Sequence, residues 1–328
     1  MGNIVARIGI YGDLHLHSRN YGAHINYPKE TLHYLRIITE LTESEGLTHL
    51  IGLGDLTFGR FHTLEYRGEV ERELEKQYSL VNGQRYELKG NHDSASYGMT
   101  EYEYYVKKGL IRPAEHLVIG EALNISMLNY GEIGKKVIIP PDSSMWNVLL
   151  VHDYVKFEDT NSANFGNAIM LENHPAYCGL NLIVAGHIHH FMAFTGEITS
   201  QQGETFETGV IYPGCVTRPA YEHGKMETVG HLVVITVTDD KEVKYEDKQI
   251  PLLSISECFS VEKLEQKEVA KAEKAEKQLS QLDISDIVAE LNSDENDIGS
   301  PEEIIEGLQD IPAKYKKKAI ELLKAASA

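Results

Sequence analysis

Five times along this 328-residue chain an apolar, β-branched run ends and residues able to hold a metal ion follow at once. IVARIGIYG leads to Asp13-Leu14-His15, LTHLIGLG to Asp55, RYELKG to Asn91-His92-Asp93, WNVLLV to His152-Asp153, and LNLIVAG to His187-Ile188-His189. Short apolar runs bounded by glycine read as buried strands. Between them, Lys29 to Ser44 (KETLHYLRIITELTES) and Glu69 to Asn82 (EVERELEKQYSLVN) read as helices. The alternation predicts an α/β fold of layered elements. In such folds, loops from separate strands converge beyond the carboxyl ends of the sheet, so all five clusters are expected in one place.

Two further runs, GVIYPG and HLVVITVT, continue the β pattern to about residue 240, and KEVKYEDKQIPL closes a first domain over 1–250. The character then changes. Residues 251–299 form a helical segment and acidic linker: Val261 to Leu282 is rich in Ala, Glu, Lys and Gln, with pairs such as Glu273 and Lys277 at the favourable i,i+4 spacing. Asp283 to Asp310 holds ten acids and no Lys or Arg, and NSDENDIGS within it reads as a flexible break. Over 300–328, Ser300-Pro301-Glu302-Glu303 carries a helix-start signature, with Ser as N-cap, Pro at the first helical position and Glu at the third. Ile304, Ile305, Leu308 and Ile311 make one apolar stripe, and Tyr315, Ala319, Leu322 and Leu323 another. Such stripes need cover, from a partner or from the chain's own core.

Asp13, Asp55 and Asn91 offer oxygen donors, whereas His15, His152, His187 and His189 offer imidazole nitrogens. That mixture suits Mn, Fe or Zn better than Ca or Mg. Seven donors are too many for one tetrahedral ion. They suit two ions about 3.5–4 Å apart sharing a carboxylate, an arrangement that activates water and clamps the oxygens of a phosphoryl group. A lone DxH, GD or GHxH would be weak, since a histidine on an apolar face is more often a satisfied core residue; five clusters, each after a strand, are specific.

This order of motifs, DxH, GD, GNH[DE], H and GHxH, resembles that of the calcineurin-like metallophosphoesterases over about the first 190 residues. The resemblance implies a layered β-sandwich flanked by helices, with the helical C-terminal extension added. It also implies two divalent metal ions, with manganese expected and iron or zinc as alternatives. Asp13, His15, Asp55 and His189 would hold one, Asp55, Asn91, His152 and His187 the other, with Asp55 bridging. His92 would act catalytically beside them, as transition-state stabiliser or proton donor to the leaving oxygen. Within the family the chain looks most like the SbcD-type DNA repair nuclease subunit and its phage relatives. Tyr212 to Gly224 (YPGCVTRPAYEHG) and the strand after it are similar to a Tyr-x-Gly-Ser-x-x-Arg stretch of those nucleases, with Cys215 in place of Ser.

The implied function is a dimetal phosphodiesterase cutting DNA as the nuclease subunit of a repair or recombination complex. An SbcC-like coiled-coil ATPase would grip the C-terminal helices, and a homodimer is compatible with the pattern. The alternative is a phosphoesterase acting on small nucleotides or phosphoproteins. The formal net charge of −19 accommodates that alternative more comfortably, because it opposes spontaneous adhesion to polyanions. One departure is notable: where many of these nucleases place His three residues after the bridging Asp, GDLTFG has Phe58, and His62 is the nearby histidine that could substitute. His17 and His190 adjoin ligands and could orient them, as could Asp93 and Asp153. Lys107-Lys108 and Lys316 to Lys318 are too short to be nucleic-acid patches.

No stretch approaches the roughly 18 consecutive apolar residues of a membrane span. The opening MGNIVARIGIYGD passes straight into a strand-like pattern without the features of a secretory signal. Cys178, Cys215 and Cys258 are widely spaced and form no CxxC, against a disulfide framework or a thiolate zinc site. A cytoplasmic protein with no membrane partner is expected.

Overall fold

Each of the five apolar runs is a strand in the computed structural model. The structure describes residues 2–260 except 21, 59–61, 95–97, 114–115, 137–140, 143, 159–167 and 219–228, and beyond these only 262–264, 266, 269–270, 317 and 320. The chain divides into two compact units, Met1–Val261 and Glu262–Ala328. Every element discussed below belongs to the first. The acidic linker and the capped helices expected after Ser300 fall almost wholly outside the described residues.

The first unit is an α/β sandwich of two six-stranded sheets. In chain order, β1 (Ile4–Tyr11), β2 (His49–Gly52), β3 (Arg85–Glu87) and β4 (Arg112–Pro113) enter one sheet. The strands β5 (Leu117–Ile119), β6 (Leu123–Leu128) and β7 (Trp146–Val151) enter the other. A small separate pair, β8 (Val155–Lys156) and β9 (Ile169–Met170), follows. Then β10 (Leu182–Ala185), β11 (Met192–Thr199) and β12 (Thr205–Tyr212) complete the second sheet, and β13 (Val229–Thr238) and β14 (Val243–Pro251) return to the first. The orders are β14-β13-β1-β2-β3-β4 and β11-β12-β10-β7-β6-β5.

β1, β2 and β3 are mutually parallel, as are β7 and β10. Within each sheet, the strands that carry a metal-capable cluster therefore point the same way. Because a parallel sheet is covered on both faces, its strands read as near-continuous apolar runs rather than alternating ones.

Three apolar layers follow. Between the sheets, Ile8, Ile10, Ile51, Val233 and Ile235 of the first meet Ile125, Val148, Leu150, Val184 and Ile211 of the second. On the outer face of the first sheet, α1 (Tyr27–Ser44) and α2 (Leu64–Leu80) lay Tyr34, Leu35, Ile38, Val70 and Leu74 on Tyr11, Leu50 and Leu232. Both helices start at polar caps: Asn26 accepts from the Lys29 N–H at 3.4 Å, and Thr63 accepts from that of Tyr66 at 3.3 Å. Each such cap contributes about 1 kcal/mol. The short α3 (Glu101–Lys107) adds Tyr102 and Tyr105. The outer face of the second sheet is covered by loops and 3-10 turns, through Tyr154, Phe157, Leu171 and Tyr177. Among the described residues, no helix is long and apolar enough to cross a membrane.

Candidate metal centre

The residues that follow β1, β2, β3, β7 and β10 meet at one edge of the sandwich. His15 Nε2 lies 3.1 Å from His189 Nε2, 3.8 Å from Asp13 Oδ2 and 3.9 Å from Asp55 Oδ2. His189 Nε2 is 3.4 Å from Asp13 Oδ2. On the other side of Asp55, His152 Nε2 stands 3.4 Å from Asp55 Oδ2 and 3.2 Å from Asn91 Oδ1, and His187 Nδ1 stands 3.1 Å from the same Asn91 oxygen. All seven expected donors are thus drawn together, in two groups with Asp55 in common. Metal–nitrogen and metal–oxygen bonds of about 2.0–2.2 Å place neighbouring donors around one ion roughly 3.0–3.5 Å apart, close to most of these separations.

The donor set fits divalent cations on its own chemistry. Two imidazole nitrogens 3.1 Å apart share at most one proton between them, and an ion between two lone pairs satisfies both. Asp13 Oδ1 accepts from the His187 backbone N–H at 3.2 Å, whereas its buried Oδ2 has no hydrogen-bond partner among the described residues. His152 Nδ1 lies 2.7 Å from the Leu53 carbonyl, so Nδ1 carries a hydrogen and Nε2 is the nitrogen turned toward Asp55 and Asn91, the one that would bind a cation in place of its proton. Burial pushes the His15 imidazole down to about 3, with His189 acting the same way, which keeps it neutral. Burial works to raise the Asp55 carboxyl, but its hydrogen bond to His152 and the surrounding imidazoles hold it below the usual range. Against burial, Asp13 and Asp55 raise the His152 imidazole to about 9 and lift that of His189 above its usual range, so the buried carboxylates draw positive charge to this place, as a cation site does.

The backbone is shaped for the same purpose. His15, Asp55 and His187 have φ of 47°, 50° and 79°, in the left-handed region. Each costs about 1–3 kcal/mol and persists where the surroundings over-determine it. Glycine enters by close approach: a Cβ on Gly90 would lie 2.0 Å from Asp55 Oδ1, and one on Gly186 would lie 2.8 Å from the Leu53 carbonyl oxygen. The letters G in GNHD and GHIH therefore make room for the Asp55 carboxylate and the loop beside it.

His92 behaves differently from the seven. Its backbone N–H donates to Asp55 Oδ1 at 2.8 Å, fixing the carboxylate, while its exposed ring stands 5.1 Å from that of His15. A ring nitrogen of His92 also lies within 4.8 Å of donor atoms of His15 and Asp55. An exposed imidazole at that range can meet a substrate oxygen.

Several neighbours have roles that sequence alone left open. Asp93 is fully buried and accepts from the N–H groups of Leu56, Thr57 and Gly90 and from the Thr57 hydroxyl, at 3.0–3.2 Å. It ties the Asp55 loop to the Asn91 loop. Asp153 accepts from Gly131 N–H at 2.9 Å. His17 binds the backbone of Arg19 and packs its ring on Phe58 and His62. His62 is buried rather than solvated, with Nε2 2.9 Å from the Leu16 carbonyl and its ring on Tyr66. The ring beside His92 is instead that of Phe58, 4.8 Å away.

Cys215 is a staple. Its N–H donates to the His189 carbonyl at 3.1 Å and its thiol to the Asp13 carbonyl at 3.0 Å, while the Thr217 hydroxyl donates to the Leu14 carbonyl at 2.9 Å. The stretch after β12 thus joins the loop of Asp13 to the loop of His189. Burial, with the Asp13 charge nearby, raises the Cys215 thiol well above its usual range and keeps it a donor.

Sequence reading passed over the support beneath the site. Arg85 and Glu87 are both fully buried on β3, with Arg85 Nη1 3.2 Å from Glu87 Oε2. Arg85 also donates to the Tyr11 hydroxyl at 2.8 Å and to Gln77 at 2.9 Å, and Tyr11 donates to Glu87 at 2.6 Å. The signal is two opposite charges, Arg85 and Glu87, inside a run that reads as a buried strand.

No protein-family model matches the sequence, and no curated protein matches it. Among solved structures, the chain is similar to a dimetal phosphatase from Danio rerio, at 13% identity and a TM-score of 0.42, over 76% of this chain and 100% of that one.

Proposed function

We propose that this protein is a dimetal phosphoesterase that hydrolyses phosphodiesters. The observation carrying the proposal is the convergence of seven donors from five loops into two groups that share Asp55. Asp13, His15, Asp55 and His189 would hold one cation, and Asp55, Asn91, His152 and His187 the other. Two such cations supply a nucleophilic oxygen from water and neutralise charge on the phosphoryl oxygens.

The chain's own groups do the rest. Asp55 is held by the His92 N–H, so both carboxylate oxygens have fixed directions. The Leu53 carbonyl fixes the tautomer of His152. The exposed His92 ring donates a hydrogen bond to the phosphoryl group or a proton to the leaving oxygen. Replacing His92 by Ala is expected to lower turnover about 10²–10⁴-fold while two metals per chain stay bound. Unchanged turnover would remove His92 from the chemistry.

Within that class the proposed substrate is DNA and the proposed setting an SbcCD-like repair or recombination complex, with manganese as the working metal. The order of the motifs and the Tyr212 to Gly224 stretch support this reading. An SbcC-type ATPase would engage the C-terminal helices and bring DNA to an acidic protein. A second reading, hydrolysis of small nucleotides or phosphoproteins, is favoured by the net charge of −19. The manganese-loaded protein should be assayed on single- and double-stranded DNA, a chromogenic diester and a monoester, with and without the ATPase. Diester and DNA cleavage is expected. Monoester turnover with DNA untouched even beside the ATPase would replace the nuclease reading by the second one.

A further inference from the structure

The two ligand groups are flanked by different aromatic rings. Phe58, half-buried, packs at 5.8 Å from His15 and 4.8 Å from His92, on the side of the first group. Tyr130 lies at 5.6 Å from His187 and 6.2 Å from His152, on the side of the second. It is 47% exposed, although its N–H is anchored on the Lys89 carbonyl at 2.9 Å. A large ring held by its backbone yet left in solvent beside a polar centre is not there for the core. The exposed Lys135 belongs to the same loop, its Nζ 3.8 Å from where a Cβ on Gly131 would sit. A cation and an aromatic face together suit a phosphate joined to a planar group.

We infer that Phe58 and Tyr130 are specificity-determining residues, the faces on which the planar groups esterified to either side of the scissile phosphate stack: nucleobases, when the substrate is a polynucleotide. The inference rests on the phosphodiesterase reading above and deepens it. Stacking is indifferent to base identity, because every base has a π-face, and it requires bases that are unpaired or frayed at the site. It would also hold a polyanion to an acidic protein without a broad basic surface.

The test is binding of the full chain with Mn²⁺ to a short single-stranded phosphorothioate oligonucleotide and to the same backbone lacking bases, read by fluorescence anisotropy. The wild type is expected to prefer the base-bearing strand by about fivefold to a hundredfold. Phe58→Leu and Tyr130→Leu should each shrink that preference, and Tyr130→Phe should keep it, in variants that retain two manganese ions and the wild-type melting temperature. A wild-type preference near one, or a preference that both Leu variants leave intact, overturns the inference. Hydrolysis of methyl p-nitrophenyl phosphate by the wild type is scored separately. Its absence would remove the phosphodiesterase reading while leaving the base preference measurable.

Discussion

At the scale of single residues, the site depends on space and on fixed protons as much as on ligands. Gly90→Ala places a methyl group 2.0 Å from Asp55 Oδ1 and 2.4 Å from its backbone N. That carboxylate must move, so the variant is expected to fold yet hold fewer than two metals per chain, as metal analysis after dialysis would show. Retention of both metals would mean that the close packing has no role. His62 offers a test away from the ligands. Burial lowers its imidazole to about 4, with Glu101 and the Leu16 carbonyl opposing. A histidine depressed in the fold binds fewer protons there than in the unfolded chain. Its contribution is therefore fully present above the unfolded value near 6.5 and is lost as pH falls through about 4. The loss is of the order of 3 kcal/mol. Denaturant unfolding at pH 7 and pH 4.5 should show a larger decline for the wild type than for His62→Gln; equal declines would contradict the assignment.

At the scale of elements, the strands with parallel neighbours and apolar runs were legible, because burial on both faces writes itself into the sequence as Val, Ile and Leu. The convergence of the five donor clusters was legible for a related reason: residues able to hold a metal are few in kind and each follows its strand within a few residues. Other elements were hidden by their chemistry. β6 buries every residue, but Asn124 and Ser126 interrupt its apolar run, and only the bond from Asn124 to Asn147 at 2.8 Å explains the asparagine. β11 lies at the edge of its sheet, with alternate residues in solvent and Gly196 against the Phe157 ring, so its pattern is faint. The α3 helix carried a readable capping box in Thr100 and Glu103 but is too short for periodicity to show. The ion pair of Arg85 and Glu87 lies within β3 and is tied to β1 through Tyr11 and to α2 through Gln77, partners that the two charges in the run do not reveal. Arg85→Met leaves Glu87 buried and uncompensated, and is expected to cost about 3–5 kcal/mol in chemical denaturation. A loss under 1 kcal/mol would show that Glu87 is neutral in the fold.

At the scale of the whole molecule, charge and site pull in different directions. A protein of net charge −19 repels a polyanion, and repulsion is screened beyond about 10 Å at 0.1 M salt. For the isolated chain, kcat/KM on an oligonucleotide should therefore be flat or rise as salt goes from about 50 to about 200 mM, a range over which proteins with many phosphate contacts lose affinity steeply. A steep fall would contradict this account of the charge. The central claim is the shared pair of cations, and anomalous diffraction at the manganese edge from metal-soaked crystals tests it most directly. Two peaks about 3.5–4 Å apart, both bonded to Asp55 and together reaching the other six donors, are expected. A single peak, or peaks away from these side chains, would contradict the account.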